Sequence, residues 1–254
     1  MTDLIRKATG ILRQSAFTTA FTGAGISVES GIPPFRGKNG LWNKYNPEIL
    51  DLAYFHEHPS ESWEVIREIF YDHFKNARPN KAHEILARME REGLLSQVIT
   101  QNIDDLHRLA GSKVVTAFHG NSATLRCIHC DRTYHISLIS LDHLPPTCRE
   151  CGGLLKPDFV FFGEAIPQMA LHSSYEAASL SEVMLVIGTT GEVMPANQIP
   201  VIARQNGATI IEINPQPSAF TSALTDIFLQ GKAAEIMEMI DRELFPDAIS
   251  PAPE

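Results

Sequence analysis

The chain has 254 residues and a formal net charge of −9, which suits one large domain, or a domain with a small module, around a sizeable core. The acidic balance lacks the basic footprint of a dedicated nucleic-acid binder, and no run approaches the roughly 18 apolar residues of a membrane span. Residues 1–15 are amphipathic but carry neither a long apolar core nor a cleavage site, so no secretory signal is read and a cytoplasmic location is expected.

Residues 16–21, AFTTAF, read as a buried strand from their β-branched and aromatic content. Gly23, Ala24 and Gly25 then let the backbone turn with no side chain to block a ligand. Ile26, Ser27 and Val28 open a short helix whose free N–H groups and positive dipole end face whatever occupies the turn. Together these form an anion site suited to a nucleotide diphosphate. The dinucleotide fingerprint is incomplete, because Val28 stands at the third glycine and no second-strand acid follows about 20 residues on. From this stretch alone, a plain strand-to-helix turn reads equally well. The loop that follows, Gly31-Ile-Pro-Pro-Phe-Arg-Gly37, sets one aromatic and one arginine between glycines and prolines.

Residues 37–78 hold no convincing core strand and read as helices and loops inserted after the first βα unit. Amphipathic helical patterns occupy 63–74, 81–92, 167–180, 195–206 and 232–245. Apolar runs at 97–100, 183–188 and 208–213 read as buried strands. The alternation predicts an α/β fold with a doubly wound parallel sheet and ligands at the strands' carboxyl ends. The terminal DAISPAPE, 247–254, reads as a short frayed end.

Behind the strand at 97–100, Gln101, Asn102 and Asp104 place two amides and a carboxylate at a carboxyl end, where they suit ribose hydroxyls or a carboxamide; helix capping accounts for one of them. Phe118-His119-Gly120 offers a histidine that titrates near neutral pH. Cys127-Ile-His-Cys130 and Cys148-Arg-Glu-Cys151 are two C-x-x-C pairs separated by 17 residues, a zinc-ribbon spacing. Two disulfides are disfavoured in a reducing compartment, and paired spacing argues against four unrelated thiols. A closed four-cysteine shell implies one structural zinc; His129 is the only rival ligand. Residues 157–164, PDFVFFGE, read as core or as an edge that pairs with an extended peptide. Gly188-Thr-Thr190, Asn214-Pro215 and Gly231-Lys-Ala233 put small or amide side chains where a nucleotide would lie.

These segments, GAGIS (23–27), GIPPFRG (31–37), TQNIDDLH (100–107), HG (119–120), both C-x-x-C pairs, FFGE (161–164), GTT (188–190) and INP (213–215), occur in the order found in the sirtuins. The chain resembles that Sir2 family of NAD-dependent protein deacylases, in its prokaryotic type, over roughly residues 4–244. The resemblance implies a Rossmann-like domain (1–36, 79–120 and 158–254). It also implies a small domain made of a helical insertion (37–78) and the zinc module (121–157), with a cleft between the two domains. It implies that Gly23, Ala24 and Gly25 contact the NAD phosphates, that Phe35 covers the nicotinamide ribose and that Arg36 helps hold the co-substrate. Gln101, Asn102 and Asp104 would bind nicotinamide and its ribose, and Thr189, Asn214 and Ala233 would line the adenosine end. Ser27, Ile103, Gly188, Thr190 and Pro215 join the same site. Val160, Phe161, Phe162, Gly163 and Glu164, facing Gly191 to Val193, would clamp an acetylated protein or peptide as a strand. His119 would be the general base, with Asn102 as a second catalytic residue, and NAD would be consumed.

Two departures bear on specificity. Family members that remove succinyl or malonyl groups tend to carry a Tyr-x-x-Arg pair in the helical insertion, and residues 63–71 show Ile66 and Ile69 near those places. Arg67 and Tyr71 lie close by, and a slip of the alignment by a residue would bring Arg67 to one of those places. Without that arginine the pocket should not bury a carboxylate, which favours acetyl. Gly191-Glu192 replaces an expected apolar pair. An ADP-ribosyltransferase, an NAD hydrolase or a deacylase for another acyl group are the alternatives. A non-enzymatic NAD-binding module is disfavoured by His119.

Overall fold

The computed structural model describes residues 1–37 and 40–246; the reading of 247–254 as a frayed end lies outside them. In chain order the strands are β1 (Thr18–Thr22), β2 (Gln97–Thr100), β3 (Val115–Ala117), β4 (Gly120–Cys127), β5 (Thr133–His135), β6 (Leu155–Phe159), β7 (Val183–Ile187), β8 (Thr209–Asn214) and β9 (Ile227–Gln230). Six of them form a parallel sheet in the order β3-β2-β1-β7-β8-β9. Counted along the chain within that sheet the order is 3-2-1-4-5-6, the Rossmann order, whose direction reverses between β1 and β7. The doubly wound reading holds. β4, β5 and β6 form a second, antiparallel sheet in the order β5-β4-β6.

Strand side chains alternate between faces. Ala20, Val98, Leu185, Ile187, Ile211 and Ile213 pack under helices α1 (Thr2–Gln14), α4 (Lys81–Arg91) and α8 (Ala233–Leu244). Phe21, Ile99, Met184, Val186 and Ile210 pack under α6 (Gln168–Leu180) and α7 (Gln198–Gln205). A third cluster joins residues far apart in sequence. Phe55 of α2 (Leu52–Glu57), Trp63 and Ile66 of α3 (Pro59–Ile66), Ile69 and Phe70 meet Leu125, Cys127, Cys148, Leu155 and Phe161. The indole N–H of Trp63 donates to the Leu155 carbonyl at 2.9 Å. The helical insertion and the cysteine module therefore share one core.

The elements depart from the sequence reading at their ends. The helix read over 63–74 is α-helical only to Ile66; Arg67–His73 widens into a π-helix and Phe74–Asn76 tightens into a 3₁₀ turn. Ile66, Ile69 and Phe70, at i, i+3 and i+4, all face the shared core, and the π-stretch follows directly on the α-helical turn that carries Ile66. The helix read from 195 starts at Gln198, after a turn in which the Asn197 amide donates to the Val193 carbonyl. Two short strands, β3 and β9, carry too few residues to show a period. The helix opening at Ile26 is a 3₁₀ helix, Ala24–Ser30, closed by Gly31 at φ 87°.

Candidate active site at the sheet switch point

At the carboxyl ends of β1 and β7 the chain passes close to itself. A Cβ on Gly25 would stand 2.6 Å from the Gly188 Cα, and one on Gly188 would stand 2.3 Å from the Ile26 nitrogen. Gly188 also holds φ +64°, a region open to glycine. The Gly23 amide donates to the Ile187 carbonyl (3.0 Å) and the Gly25 amide to the Gly188 carbonyl (2.8 Å). Both N–H groups are thus engaged within the protein. The two glycines are required here by the close backbone approach.

The residues after β2 are tied to this turn. Asn102, nearly buried, donates its amide to the Gly23 carbonyl (3.1 Å) and the Ser27 Oγ (3.2 Å). Ser27 Oγ donates to Asp104 Oδ2 at 2.6 Å, and the Leu106 amide to Asp104 Oδ1 at 3.0 Å. Burial raises the Asp104 pKa against the pull of these bonds. Gln101 Nε2 donates to Thr189 Oγ1 at 3.1 Å. The Ile103 carbonyl accepts from the Ser122 amide (3.0 Å) and hydroxyl (2.8 Å). The structure brings Gly23, Gly25, Ser27, Gln101, Asn102, Asp104, Gly188 and Thr189 into one cluster.

His119 stands between β3 and β4, with Nδ1 3.0 Å from the Gln101 carbonyl. A carbonyl only accepts, so the proton sits on Nδ1 and Nε2 keeps its lone pair. Burial lowers the pKa, opposed by this bond. The result is a neutral imidazole at pH 7 with one basic nitrogen, the form a general base needs.

On the far side of β7, Asn214 Nδ2 donates to the Thr189 carbonyl (3.1 Å) and to Glu212 Oε1 (2.9 Å). The Thr190 carbonyl accepts from Ala219 at 3.0 Å, and the Pro215 carbonyl from the Gln230 side chain at 3.1 Å. Ala233 opens α8, and the adjacent Ala234 amide donates to Glu29 at 2.7 Å.

Phe35 lies over Trp42 and Phe70, with ring centroids 5.3 and 6.5 Å away, and the Trp42 amide donates to its carbonyl at 3.0 Å. Arg36 is exposed. The Phe161 ring is 2% exposed and packs on Phe55 and Phe159. Phe162 is exposed, but its amide donates to Leu50 (2.8 Å) and its carbonyl accepts from Leu52 (3.0 Å). The backbone edge at Phe162 is therefore paired with the helical insertion. Behind this turn the buried Lys156 Nζ meets Glu164 at 2.9 Å, donates to the Phe159 carbonyl at 2.8 Å and lies 4.2 Å over the Phe161 ring. Glu164 also accepts from the Phe161 amide at 2.9 Å. Burial lowers the Lys156 pKa and Glu164 opposes it. The Val160 amide donates to the His119 carbonyl at 2.8 Å, linking the turn to His119. Across from it, Gly191 (φ +76°) lies against the Phe220 ring, Glu192 is exposed and Val193 half-buried.

The four cysteines converge. Their Sγ atoms all lie within 4.8 Å of one another, with 3.5 Å between Cys127 and Cys151, 3.7 Å between Cys130 and Cys148, and 3.4 Å between Cys130 and Cys151. These separations exclude disulfides and approach the roughly 3.8 Å of a tetrahedral zinc–thiolate shell with bonds of about 2.3 Å. The Tyr134 hydroxyl, 3.1 Å from Cys148 Sγ, holds that thiol down at about 6, and the His129 amide donates to Cys127. The donor set fits zinc, and His129 contributes its backbone rather than a ring nitrogen.

Arg67 and Tyr71 are engaged elsewhere. The guanidinium donates to the Leu141 carbonyl (3.1 Å) and pairs with Asp72 (3.4 Å), and the Tyr71 hydroxyl donates to the Ser122 carbonyl at 2.9 Å.

Two residues escaped the sequence reading. Glu212 was signalled by a lone carboxylate inside an apolar strand, two positions before Asn214 and so on the same face. Lys156 was signalled by a lone cation in the apolar run that ends at Glu164.

The Sir2 family model matches residues 23–195. The chain is 44% identical over 238 residues to NAD-dependent protein deacylase 2 of Pyrobaculum aerophilum, covering 92% of this chain and 93% of the relative. It is 40% identical over 244 residues to NAD-dependent protein deacetylase 1 of the same organism, covering 95% of each. Among solved structures it is similar to a mutant Sir2 homologue in complex with ADP-ribose (TM-score 0.89, 40% identity, 98% and 99% covered). It is also similar to a mutant Sir2 with a deacetylated p53 peptide and 3′-O-acetyl ADP-ribose (TM-score 0.90, 34% identity, 94% and 98% covered).

Proposed function

The chain belongs to the Sir2 family, and from that premise we propose that it is an NAD-dependent protein-lysine deacetylase. It transfers the acetyl group of an acetyl-lysine to ADP-ribose and releases nicotinamide and O-acetyl-ADP-ribose. The observation that carries this reading is the neutral His119, its Nδ1 proton held by the carbonyl of Gln101, beside the amide and carboxylate cluster that faces the glycine turn.

In this reading NAD is a substrate that lies across the switch point, with its phosphates beside the 23–27 turn. Asn102, Asp104 and Ser27 are locked together, so their positions do not have to be organised when nicotinamide binds. The acetyl-lysine carbonyl oxygen attacks the ribose C1′ and nicotinamide leaves. His119 Nε2 then takes the proton of a ribose hydroxyl, whose oxygen attacks the imidate carbon. Once the imidate has been captured, a water adds to that carbon and the lysine amine leaves, giving free lysine and O-acetyl-ADP-ribose. Phe35, backed by Trp42 and Phe70, covers the ribose and keeps water out.

The acetylated protein or peptide lies between Phe162–Glu164 and Gly191–Val193, with Val160 at the base. The engagement of Arg67 by Leu141 and Asp72, and of Tyr71 by Ser122, supports a neutral acyl group, since neither side chain is free to pair with an acyl carboxylate. The two sheets and the separate apolar cluster of the insertion and cysteine module support a large domain (1–36, 79–120, 158–254) facing a small one (37–78, 121–157). The four thiols would hold one zinc that supplies fold stability, not chemistry. A thiolate metal site fits a reducing compartment, and no helix among the described residues is long and apolar enough to cross a membrane. We place the enzyme in the cytoplasm on these grounds, acting on protein rather than nucleic acid.

The test incubates the protein with NAD, with and without an acetyl-lysine peptide, and follows nicotinamide and O-acetyl-ADP-ribose together. Release of both only with peptide is expected. Nicotinamide release without peptide would assign an NAD hydrolase or an ADP-ribosyltransferase instead.

A further inference from the structure

Glu212 lies in the middle of β8 and is fully buried, yet its four hydrogen-bond partners are all neutral. Asn214 Nδ2 (2.9 Å) and Ser218 Oγ (2.5 Å) donate to Oε1; Thr221 Oγ1 (2.9 Å) and Thr225 Oγ1 (2.7 Å) donate to Oε2. A carboxylate buried without a cation persists only when such donors replace its water. The reaction as derived above makes no use of it.

Its geometry has a directional consequence. Asn214 Nδ2 points at two acceptors, the Glu212 carboxylate and the Thr189 carbonyl, so the amide cannot be flipped without setting oxygen against oxygen. The Asn214 Oδ1 is thereby left to accept from outside. The same carboxylate gathers the segment after β8. Ser218, held at Glu212, accepts the Phe220 amide (3.1 Å), and its neighbour Ala219 donates to the Thr190 carbonyl (3.0 Å). The Phe220 ring in turn lies directly under Gly191.

We propose that Glu212 is a positioning residue for the adenosine half of the co-substrate: by fixing the Asn214 amide and the segment 218–225, it presents Asn214 Oδ1 to a hydroxyl or amino donor of the adenosine. This rests on the reading of the site as an NAD site, in which Asn214 lines the adenosine end. Glu212 touches neither the reacting carbon nor the peptide, so its effect falls on affinity for the nucleotide and not on turnover.

The experiment measures ADP-ribose binding by calorimetry, and steady-state kinetics in NAD and in acetyl-lysine peptide, for wild type, Glu212→Gln, Asn214→Ala and the double variant. Glu212→Gln should weaken ADP-ribose binding and raise the KM for NAD by about tenfold or more, as expected for losing a charged acceptor shared by several donors. The peptide KM and the kcat at saturating NAD should stay within about twofold. The double variant should bind ADP-ribose no more weakly than the weaker of the two single variants. A Glu212→Gln protein that melts earlier but binds ADP-ribose like wild type would show a structural role only and overturn the proposal. Should that variant not fold, Ser218→Ala and Thr225→Val each remove one donor and should raise the KM for NAD alone; an unchanged KM in both would overturn the proposal equally. Wild-type protein that binds no ADP-ribose would instead remove the NAD reading on which the proposal stands.

Discussion

The ring of His119 is held at 3.0 Å by the carbonyl of Gln101, so the first residue after β2 fixes the tautomer of the proposed base that precedes β4. Two consequences can be measured. Replacing His119 by Ala should lower kcat by about 10²- to 10⁴-fold, the usual worth of a general base, while ADP-ribose binding changes little. Because the base acts after nicotinamide has left, peptide-dependent exchange of labelled nicotinamide should persist in this variant. Loss of exchange together with turnover would show that His119 serves the first step as well.

The pH dependence of kcat/KM follows from the same burial. Protonated, His119 could not serve as the proposed base, and burial lowers its pKa below the ordinary 6.5. The acid limb of activity should therefore be centred below pH 6.5. An acid limb centred at or above 6.5 would contradict a buried neutral base.

His83 and His107 predict a separate effect, on stability. They are buried edge to face with ring centroids 4.8 Å apart, and His83 Nε2 and His107 Nδ1 have no partner. Burial lowers His83 to about 4 and His107 well below 6.5. In the unfolded chain both take up protons near pH 6.5, whereas the folded protein resists. Stability is fully present above pH 6.5 and falls as pH drops toward 4, with each histidine contributing a slope of up to about 1.4 kcal/mol per pH unit. Urea unfolding at pH 7, 6 and 5 reads this directly, and Phe at both positions should flatten it.

The pair Lys156–Glu164 holds the turn Phe161–Glu164 from behind. Lys156→Met leaves the half-buried Glu164 without its cation, at a cost of about 1–2 kcal/mol, below that of a fully buried pair because Glu164 keeps part of its hydration. The midpoint of denaturation should fall, and the KM for acetylated peptide should rise more than the KM for NAD. Equal rises in both would mean that the turn does not serve the peptide.

Metal removal tests the cysteine cluster. Elemental analysis should find one zinc per chain, and a chelator at elevated temperature should remove it with loss of the near-ultraviolet signal of Trp63, since that indole is bonded to Leu155 in the core that Cys127 and Cys148 also join. An intact tryptophan signal after complete zinc loss would separate the metal from that core.

Much of this was legible in the sequence because the chemistry sits at strand ends. The runs at 97–100 and 183–188 fix two strands, and the polar residues that follow each, Gln101–Asp104 and Gly188–Thr190, had to meet once the sheet formed. The cysteines were equally plain, since their spacing states their geometry. What stayed hidden was longer in range. No local pattern tells that Lys156 reaches Glu164, or that the amides of Gly23 and Gly25 are taken by Ile187 and Gly188. The π-stretch after Ile66 answers to the core it packs on, and Phe161 turned inward because Phe55 and Phe159 were there to receive it. The motif residues revealed the site's members, while the contacts that orient them came from the fold.

The core shared between the insertion and the cysteine module also sets an order of events during synthesis. Phe55, Trp63, Ile66, Ile69 and Phe70 leave the ribosome well before Leu125, Leu155 and Phe161, their partners. At about 5–20 residues per second, the first group stays uncovered for several seconds, and β1 waits longer still for β7. That shared core cannot close until the second cysteine pair has emerged, so a growing chain that stalls near residue 140 would carry a bare aromatic surface. That interval, more than the finished fold, is where this protein is most exposed to aggregation and to chaperone capture.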